Sequence, residues 1–201
     1  MHNITKDFDF CYGHRVWTQK LNAELSVNQP CKCRHLHGHQ GKITIKLEAE
    51  TLENGMVTDF HHLNWFKVWL DDFFDHKMIL DFNDPLLTDL LHNVYGSVDD
   101  PRCWNTHHDH LDLEARFYTP NMDTLRNNTG EFPKPIAQHQ LEFLEGLCVV
   151  NFIPTSENLS RFFFIHVEEE IRRLQEAFGF HVTAKSVTFQ ETPKTSATFS
   201  A

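Results

Sequence analysis

The chain has 201 residues, 40% of them hydrophobic and 23% charged, with a mean hydropathy of −0.44. That length fits one domain or two small ones, and a core of this size needs neither disulfides nor a structural metal to be stable. Eighteen phenylalanines exclude a wholly disordered chain. A formal net charge of −10 and a pI near 5.8 argue against a general binder of nucleic acid or anionic membrane, whose affinity would rest on clustered Lys and Arg. No run approaches the roughly 18 apolar residues of a membrane span. The opening MHNITKDFDF lacks the basic start and apolar stretch of a signal peptide, so a cytoplasmic protein is expected. In that compartment the five cysteines (11, 31, 33, 103 and 148) should be thiols. The 15 histidines are the compositional outlier and direct attention to metal ligands.

In chain order, residues 4–11 read as a strand, with Ile4, Phe8 and Phe10 on one parity. Residues 21–36, with Asn28 and Pro30, read as a loop. KITIKLEAE at 42–50 alternates: Ile43, Ile45, Leu47 and Ala49 face one way and charged or hydroxyl side chains the other, which predicts a half-buried antiparallel strand. Asn54-Gly55 is a turn signal. At 61–74, Leu63, Phe66, Trp69, Leu70 and Phe73 fall at helical spacing, with Asp59 upstream as a cap. Segment 86–147 has scattered Pro, Asn and Asp and weak periodicity; it reads as an insertion rather than a second core. A helix is predicted over 157–178 from the stripe Leu159, Phe162, Phe163, Val167, Ile171, Leu174 and Phe178. Thr155 and Ser156 are its candidate caps and Gly179 its stop. HVTAKSVTFQ at 181–190, rich in β-branched residues, reads as a closing strand. Antiparallel strands with helices on one face give an α+β fold, taken as a single domain over 1–201.

The densest chemistry lies in Cys31-Lys32-Cys33-Arg34-His35-Leu36-His37-Gly38-His39. His37 and His39 share the parity of Ile43, Ile45 and Leu47, so both imidazoles continue the buried row. Phe8, Phe10, Tyr12 and His14 share a parity too, and pairing of the two strands would bring His14 to the other two. Three neutral imidazoles on one face suit Zn²⁺ with a fourth position open for substrate or water; a polar patch or a satisfied core pair is the alternative reading of His-x-His. Cys33, beside such a cation and Arg34, would be favoured as a thiolate and could act as base or nucleophile. A buried structural thiol is the other reading, and Cys31 the other candidate.

Asp75-His76 could form a carboxylate–imidazole relay or an ordinary exposed pair after a helix. Pro154-Thr155-Ser156-Glu157 either caps a helix or offers hydroxyls, N–H groups and a carboxylate to a ligand. Glu191 is solvated at a strand end or, if buried, anchors a guanidine-like edge through two parallel hydrogen bonds. Cys103, His107, His108, Asp109 and His110 match no standard ligand spacing and read as a solvated loop.

Six segments together resemble the 6-pyruvoyl-tetrahydropterin and 6-carboxytetrahydropterin synthase family. They are DFDFCYGHRV (7–16), CRHLHGHQ (33–40), GMVTDFHHL (55–63), FDHKMILDFNDP (74–85), PTSENLSRFFF (154–164) and VTFQET (187–192). The resemblance implies the tunnelling fold: a four-stranded antiparallel sheet with two helices on one face, subunits closing into a β-barrel ring, usually a homohexamer of two stacked trimers. It implies a lyase that binds Zn²⁺ through His14, His37 and His39. Cys33 would be the base, His76 with Asp75 and Glu191 the proton relay, and Thr155, Ser156, Glu157 and Glu191 the pterin pocket. The implied substrate is 7,8-dihydroneopterin triphosphate, with no nucleic-acid or membrane partner. Cys33 satisfies the Cys-x-x-x-His-Gly-His spacing of the carboxy branch, which releases acetaldehyde and triphosphate and serves queuosine synthesis. Cys31 satisfies the longer pyruvoyl spacing. The carboxy branch is favoured by the Lys32-Cys33 … Leu36-His37-Gly38-His39 form; a pyruvoyl enzyme and a non-catalytic zinc or pterin binder are the alternatives. The long connection from His76 to Pro154, Gln40-Gly41 after the histidine pair and Tyr12-Gly13 before His14 depart from the family pattern.

Overall fold

The computed structural model describes residues 1–26, 31–95, 100–107, 116–127 and 136–201, the side chains of 92–95 excepted. Asn28 and Pro30 of the expected loop, and His108, Asp109 and His110 of the histidine-rich stretch, lie outside the described residues. The order of elements is β1 (His2–His14), β2 (His37–Ala49), α1 (Asn64–Phe73), β3 (Lys77–Asp81), α2 (Pro85–Tyr95), β4 (Trp104–His107), β5 (Phe117–Pro120), α3 (Met122–Arg126), α4 (Gln138–Glu145), β6 (Leu147–Val150), α5 (Ser156–Phe178), β7 (Thr183–Thr192) and β8 (Thr195–Ser200).

These strands form one α+β mixed sheet in the order β4-β5-β6-β3-β1-β2-β7-β8. The expected four-stranded antiparallel sheet is therefore corrected: there are eight strands among the described residues, and β1–β3 and β3–β6 pair in parallel. The reason is visible in β6, Leu147-Cys148-Val149-Val150, every residue of which is buried. A strand buried on both faces shows no alternation, and so short an apolar run has no period to read. Glu191 does not close the last strand either, because β7 turns back at Pro193-Lys194 into β8, pairing Thr192 with Thr195.

The chain divides into two compact units. The division crosses β1 after Cys11 and β2 after Gly38, within continuous strands. The first unit comprises Met1–Cys11, His39–Asp75 and Thr155–Ala201. Here β2 pairs antiparallel with β7 (Ile43 opposite Phe189, Ile45 opposite Val187), and Asn54 and Gly55 both take positive φ in the expected turn. Asp59 caps a short 3₁₀ turn over Phe60–Leu63 that leads into α1, accepting the His61 N–H. Helix α5 starts where its caps predict: Thr155 Oγ1 accepts from the Asn158 N–H, and Gly179 ends it in the left-handed conformation.

The core of this unit is aromatic. The Phe163 ring, fully buried, lies 5.3 Å from Phe74, 5.4 Å from Phe162, 6.0 Å from Phe189 and 6.1 Å from Trp69. Such edge and tilted pairs add about 0.5–1.5 kcal/mol each beyond area burial. Phe163→Ala is therefore expected to cost about 3–5 kcal/mol in denaturant unfolding; a loss under 1 kcal/mol would show that the cluster collapses without strain.

The second unit comprises Tyr12–Gly38 and His76–Pro154. The segment expected to lack a core contributes one: Leu87, Leu91, Cys103, Trp104, Leu125 and Leu144 are buried together with Leu80, Leu147 and Val149. All five cysteines are thiols. Burial pushes the Cys103 thiol up to about 12, with Asp100 adding to the shift, and burial raises Cys148 as well. In both cases only the unfolded chain ionises the thiol near its ordinary value of 9.0. The stability they contribute is thus fully present below pH 9.0 and is lost as the pH rises through about 12 for Cys103. The denaturation midpoint is expected to fall more steeply over that window in the wild type than in Cys103→Ala, and parallel pH profiles would contradict this.

Candidate functional site

Strand β1 buries Phe8, Phe10, Tyr12 and His14 on one parity, and β2 buries Gly41, Ile43, Ile45 and Leu47, with His37 and His39 half-buried on the same parity. The apolar rows thus run into imidazoles at the end of each strand. His14, only 1% exposed, lies 4.6 Å from His37 between ring centroids, the rings tilted by 48°, and meets the Tyr12 ring edge at 5.2 Å. One ligand atom from each of His14, His37, His39 and Glu191 lies within 4.8 Å of the others.

Two backbone carbonyls set the tautomers. His14 Nδ1 lies 2.7 Å from the Pro154 carbonyl oxygen, and His37 Nδ1 lies 2.7 Å from that of His35. A carbonyl oxygen only accepts, so in each ring Nδ1–H is the donor and the lone pair resides on Nε2. This is the arrangement by which metal-binding imidazoles are oriented and made more basic. His39 Nε2 lies 3.2 Å from Glu191 Oε1, and the other Glu191 oxygen accepts from Ser156 Oγ at 3.2 Å. Three imidazoles are donors of the type that hold Zn²⁺ with a fourth position left for an exchangeable ligand.

The chain just after His14 is tied down. Arg15 Nε meets the fully buried Asp84 carboxylate at 2.7 Å, and Trp17 Nε1–H donates to Asp81 at 2.8 Å. Asp84 also caps α2 through the Leu86 N–H, so the buried charge serves a helix terminus as well. A Cβ at Gly13 would lie 2.7 Å from Cε at the flexible end of Met78, which can move aside, and 3.3 Å from the His37 carbonyl oxygen, which would have to give by a few tenths of an ångström.

Asp75 and His76 sit at the turn from α1 into β3. His76 has φ +58°, a left-handed conformation that few non-glycine residues adopt. Asp75 Oδ1 accepts the Cys11 backbone N–H at 2.7 Å, and Cys11, Asp75 and His76 form a second group of ligand atoms within 4.8 Å. Cys33 lies in a 3₁₀ turn over Lys32–Arg34, half-buried, its carbonyl accepting the Val16 N–H. The Cys31 thiol donates to Gln19 Oε1. Neither cysteine belongs to either group of clustered ligand atoms. Of the expected pterin pocket, Ser156 and Glu191 are in contact, Thr155 is engaged as the α5 cap and Glu157 is exposed in the first turn. Cys103 is buried, and His107 stacks on Phe117 and bonds Thr119, so these two belong to packing rather than to an open loop.

Two features carry no signal in the sequence. Cys11 joins Asp75 and His76, although its outward parity on β1 gave only a surface position. Arg15, Asp81, Asp84 and Trp17 brace the chain beyond His14, where an isolated Asp-x-x-Asp carries no sequence signal of burial.

The 6-pyruvoyl tetrahydropterin synthase family model matches residues 3–201. A 6-carboxy-5,6,7,8-tetrahydropterin synthase of Aquifex aeolicus is 39% identical over 103 residues, 47% of this chain and 64% of that protein. The enzyme of the same name from Rickettsia typhi is 33% identical over 98 residues, 48% of this chain and again 64% of that protein. The chain thus spans a little under two thirds of the length of these relatives. Among solved structures, an uncharacterized protein of Wolinella succinogenes superposes with a TM-score of 0.82 at 37% identity, over 99% of this chain and 97% of that one. Segment 86–147 falls within that likeness. A 6-pyruvoyl tetrahydropterin synthase of Plasmodium falciparum shares the fold alone, with a TM-score of 0.51 at 12% identity over 98% of this chain and 96% of that one. With the family model spanning nearly its whole length, the chain belongs to the 6-pyruvoyl tetrahydropterin synthase family.

Proposed function

We propose that the protein is a zinc-dependent 6-carboxytetrahydropterin synthase, a carbon–oxygen and carbon–carbon lyase. It would convert 7,8-dihydroneopterin triphosphate and one water to 6-carboxy-5,6,7,8-tetrahydropterin, acetaldehyde and triphosphate. The observation that supports the reading is the pair of Nδ1–H bonds to the Pro154 and His35 carbonyls, which leave the Nε2 lone pairs of His14 and His37 available to a metal beside His39. His14, His37 and His39 would hold the ion. Bound there, Zn²⁺ supplies Lewis acidity toward the side-chain oxygens of the substrate and acidifies its neighbouring protons.

The remaining chemistry falls to the chain. Cys33 takes the side-chain proton as base, and His76, oriented by Asp75, returns protons to the product. Ser156 holds one oxygen of Glu191, which aligns the carboxylate to accept the 2-amino and N3 hydrogens of the pterin in parallel. Thr155 and Glu157 at the start of α5 complete the pocket. The donor bond from the Cys31 thiol to Gln19 supports Cys33 rather than Cys31 as the base. The names of the Aquifex aeolicus and Rickettsia typhi relatives favour the carboxy over the pyruvoyl product. In this reading the enzyme works as a cytoplasmic homohexamer on the tunnelling-fold plan and supplies queuosine synthesis. No described helix is long and apolar enough to cross a membrane.

Two measurements test the proposal. After dialysis against a weak chelator, the wild type is expected to retain zinc, measured by elemental analysis, and His14→Ala to lose it; equal zinc contents would refute the ligand set. Incubation with 7,8-dihydroneopterin triphosphate, followed by mass spectrometry of pterins and acetaldehyde, is expected to show turnover reduced about 10²–10⁴-fold in Cys33→Ala and retained in Cys31→Ala. A 6-pyruvoyl product lost in Cys31→Ala would move the enzyme to the other branch. Zinc binding without turnover would refute the synthase reading for this substrate.

A further inference from the structure

We infer that Cys11, Asp75 and His76 form a second metal site, for a thiophilic divalent cation such as Zn²⁺ or Co²⁺, and that filling it withdraws His76 from proton transfer. Three observations carry this. First, a sulfur, a carboxylate oxygen and an imidazole nitrogen from these residues lie within 4.8 Å of one another, separate from the His14, His37, His39 and Glu191 group. A ligand set of one thiolate, one imidazole and one carboxylate is of the mixed kind that binds zinc and cobalt, with a further position left for water.

Second, the site is pre-organised. Asp75 is held by the Cys11 backbone N–H at 2.7 Å, a bond that also fixes the distance between the carboxylate and the strand bearing the thiol. The left-handed backbone at His76 commits that residue to a turn in which its side chain is brought to Cys11 and Asp75 rather than continuing along β3. A non-glycine residue keeps such a conformation only when its surroundings fix it. Third, access is open: Cys11 and His76 are exposed and Asp75 is half-buried, so a hydrated ion can reach all three. Coordination converts the Cys11 thiol to a thiolate and releases its proton to solvent.

The consequence for catalysis rests on the assignment of Asp75 and His76 as the relay; the metal site does not. An imidazole nitrogen bound to a cation carries no transferable proton. Metal beyond the amount that fills the histidine cluster would therefore inhibit, and the inhibition would require Cys11.

Sulfur distinguishes the two sites. Metal-free protein would be titrated with Co²⁺ and followed by absorption, since thiolate-to-cobalt charge transfer gives a near-ultraviolet band that imidazole and carboxylate ligands lack. In the wild type that band is expected to grow after the first equivalent, to be lost in Cys11→Ser and to persist in Cys33→Ser. Absence of the band at excess cobalt, or a band that survives Cys11→Ser, would overturn the site. Because the readout needs no turnover, it stands apart from the test of the synthase reading. Turnover that falls with excess zinc in the wild type and not in Cys11→Ser would tie the site to the relay.

Discussion

The histidine cluster depends on the two-residue alternation of β1 and β2. Phe8, Phe10 and Tyr12 bury the parity that ends in His14, and Ile45, Ile43 and Gly41 bury the parity that ends in His39 and His37. The imidazoles are placed by the same register that places the core. A slip of one residue in either strand would turn both its apolar row and its donors to the opposite face. The energetic penalty of exposing several large side chains thus protects the geometry of a site that by itself contributes little to folding.

Alternation places the rings but does not choose their tautomers. That is done by irregular chain: the carbonyl of His35, beside the 3₁₀ turn, and the carbonyl of Pro154, one residue before the cap of α5. The turn that starts the long helix and the bond that orients His14 are therefore one local structure. Ser156 in the first turn of the same helix reaches Glu191, which in turn faces His39. A helix start serves capping, ligand orientation and carboxylate alignment together, through Thr155, the Pro154 carbonyl and Ser156.

Much of this was legible in the sequence, and for identifiable reasons. Strands β1 and β2, with one face buried, announce themselves by alternation, although both extend beyond the expected 4–11 and 42–50 because His2 and the His37–Gln40 stretch lack apolar contrast. Helices α1 and α5 carry long aromatic stripes, and Thr155 and Gly179 mark the limits of the second. The second unit was not legible. Its strands β4, β5 and β6 have four residues each, β6 is apolar throughout, and its core is assembled from single residues spread from Leu80 to Val149. Strand β8 was missed because Thr, Ser and Ala present only Phe199 as an apolar marker. At the site, the three histidines and Glu191 could be named from spacing and resemblance. The proximity of Cys11 to His76 could not, because it depends on a left-handed turn that no residue type at position 76 signals.

The proposed zinc site has three imidazoles as ligands, two of them oriented by backbone carbonyls. X-ray absorption on protein loaded with a single equivalent of zinc tests it most directly. Three imidazole nitrogens at about 2.0–2.1 Å, completed by oxygen and with no sulfur, are expected around the metal. A sulfur scatterer at about 2.3 Å, or a shell with fewer than three imidazoles, would contradict it.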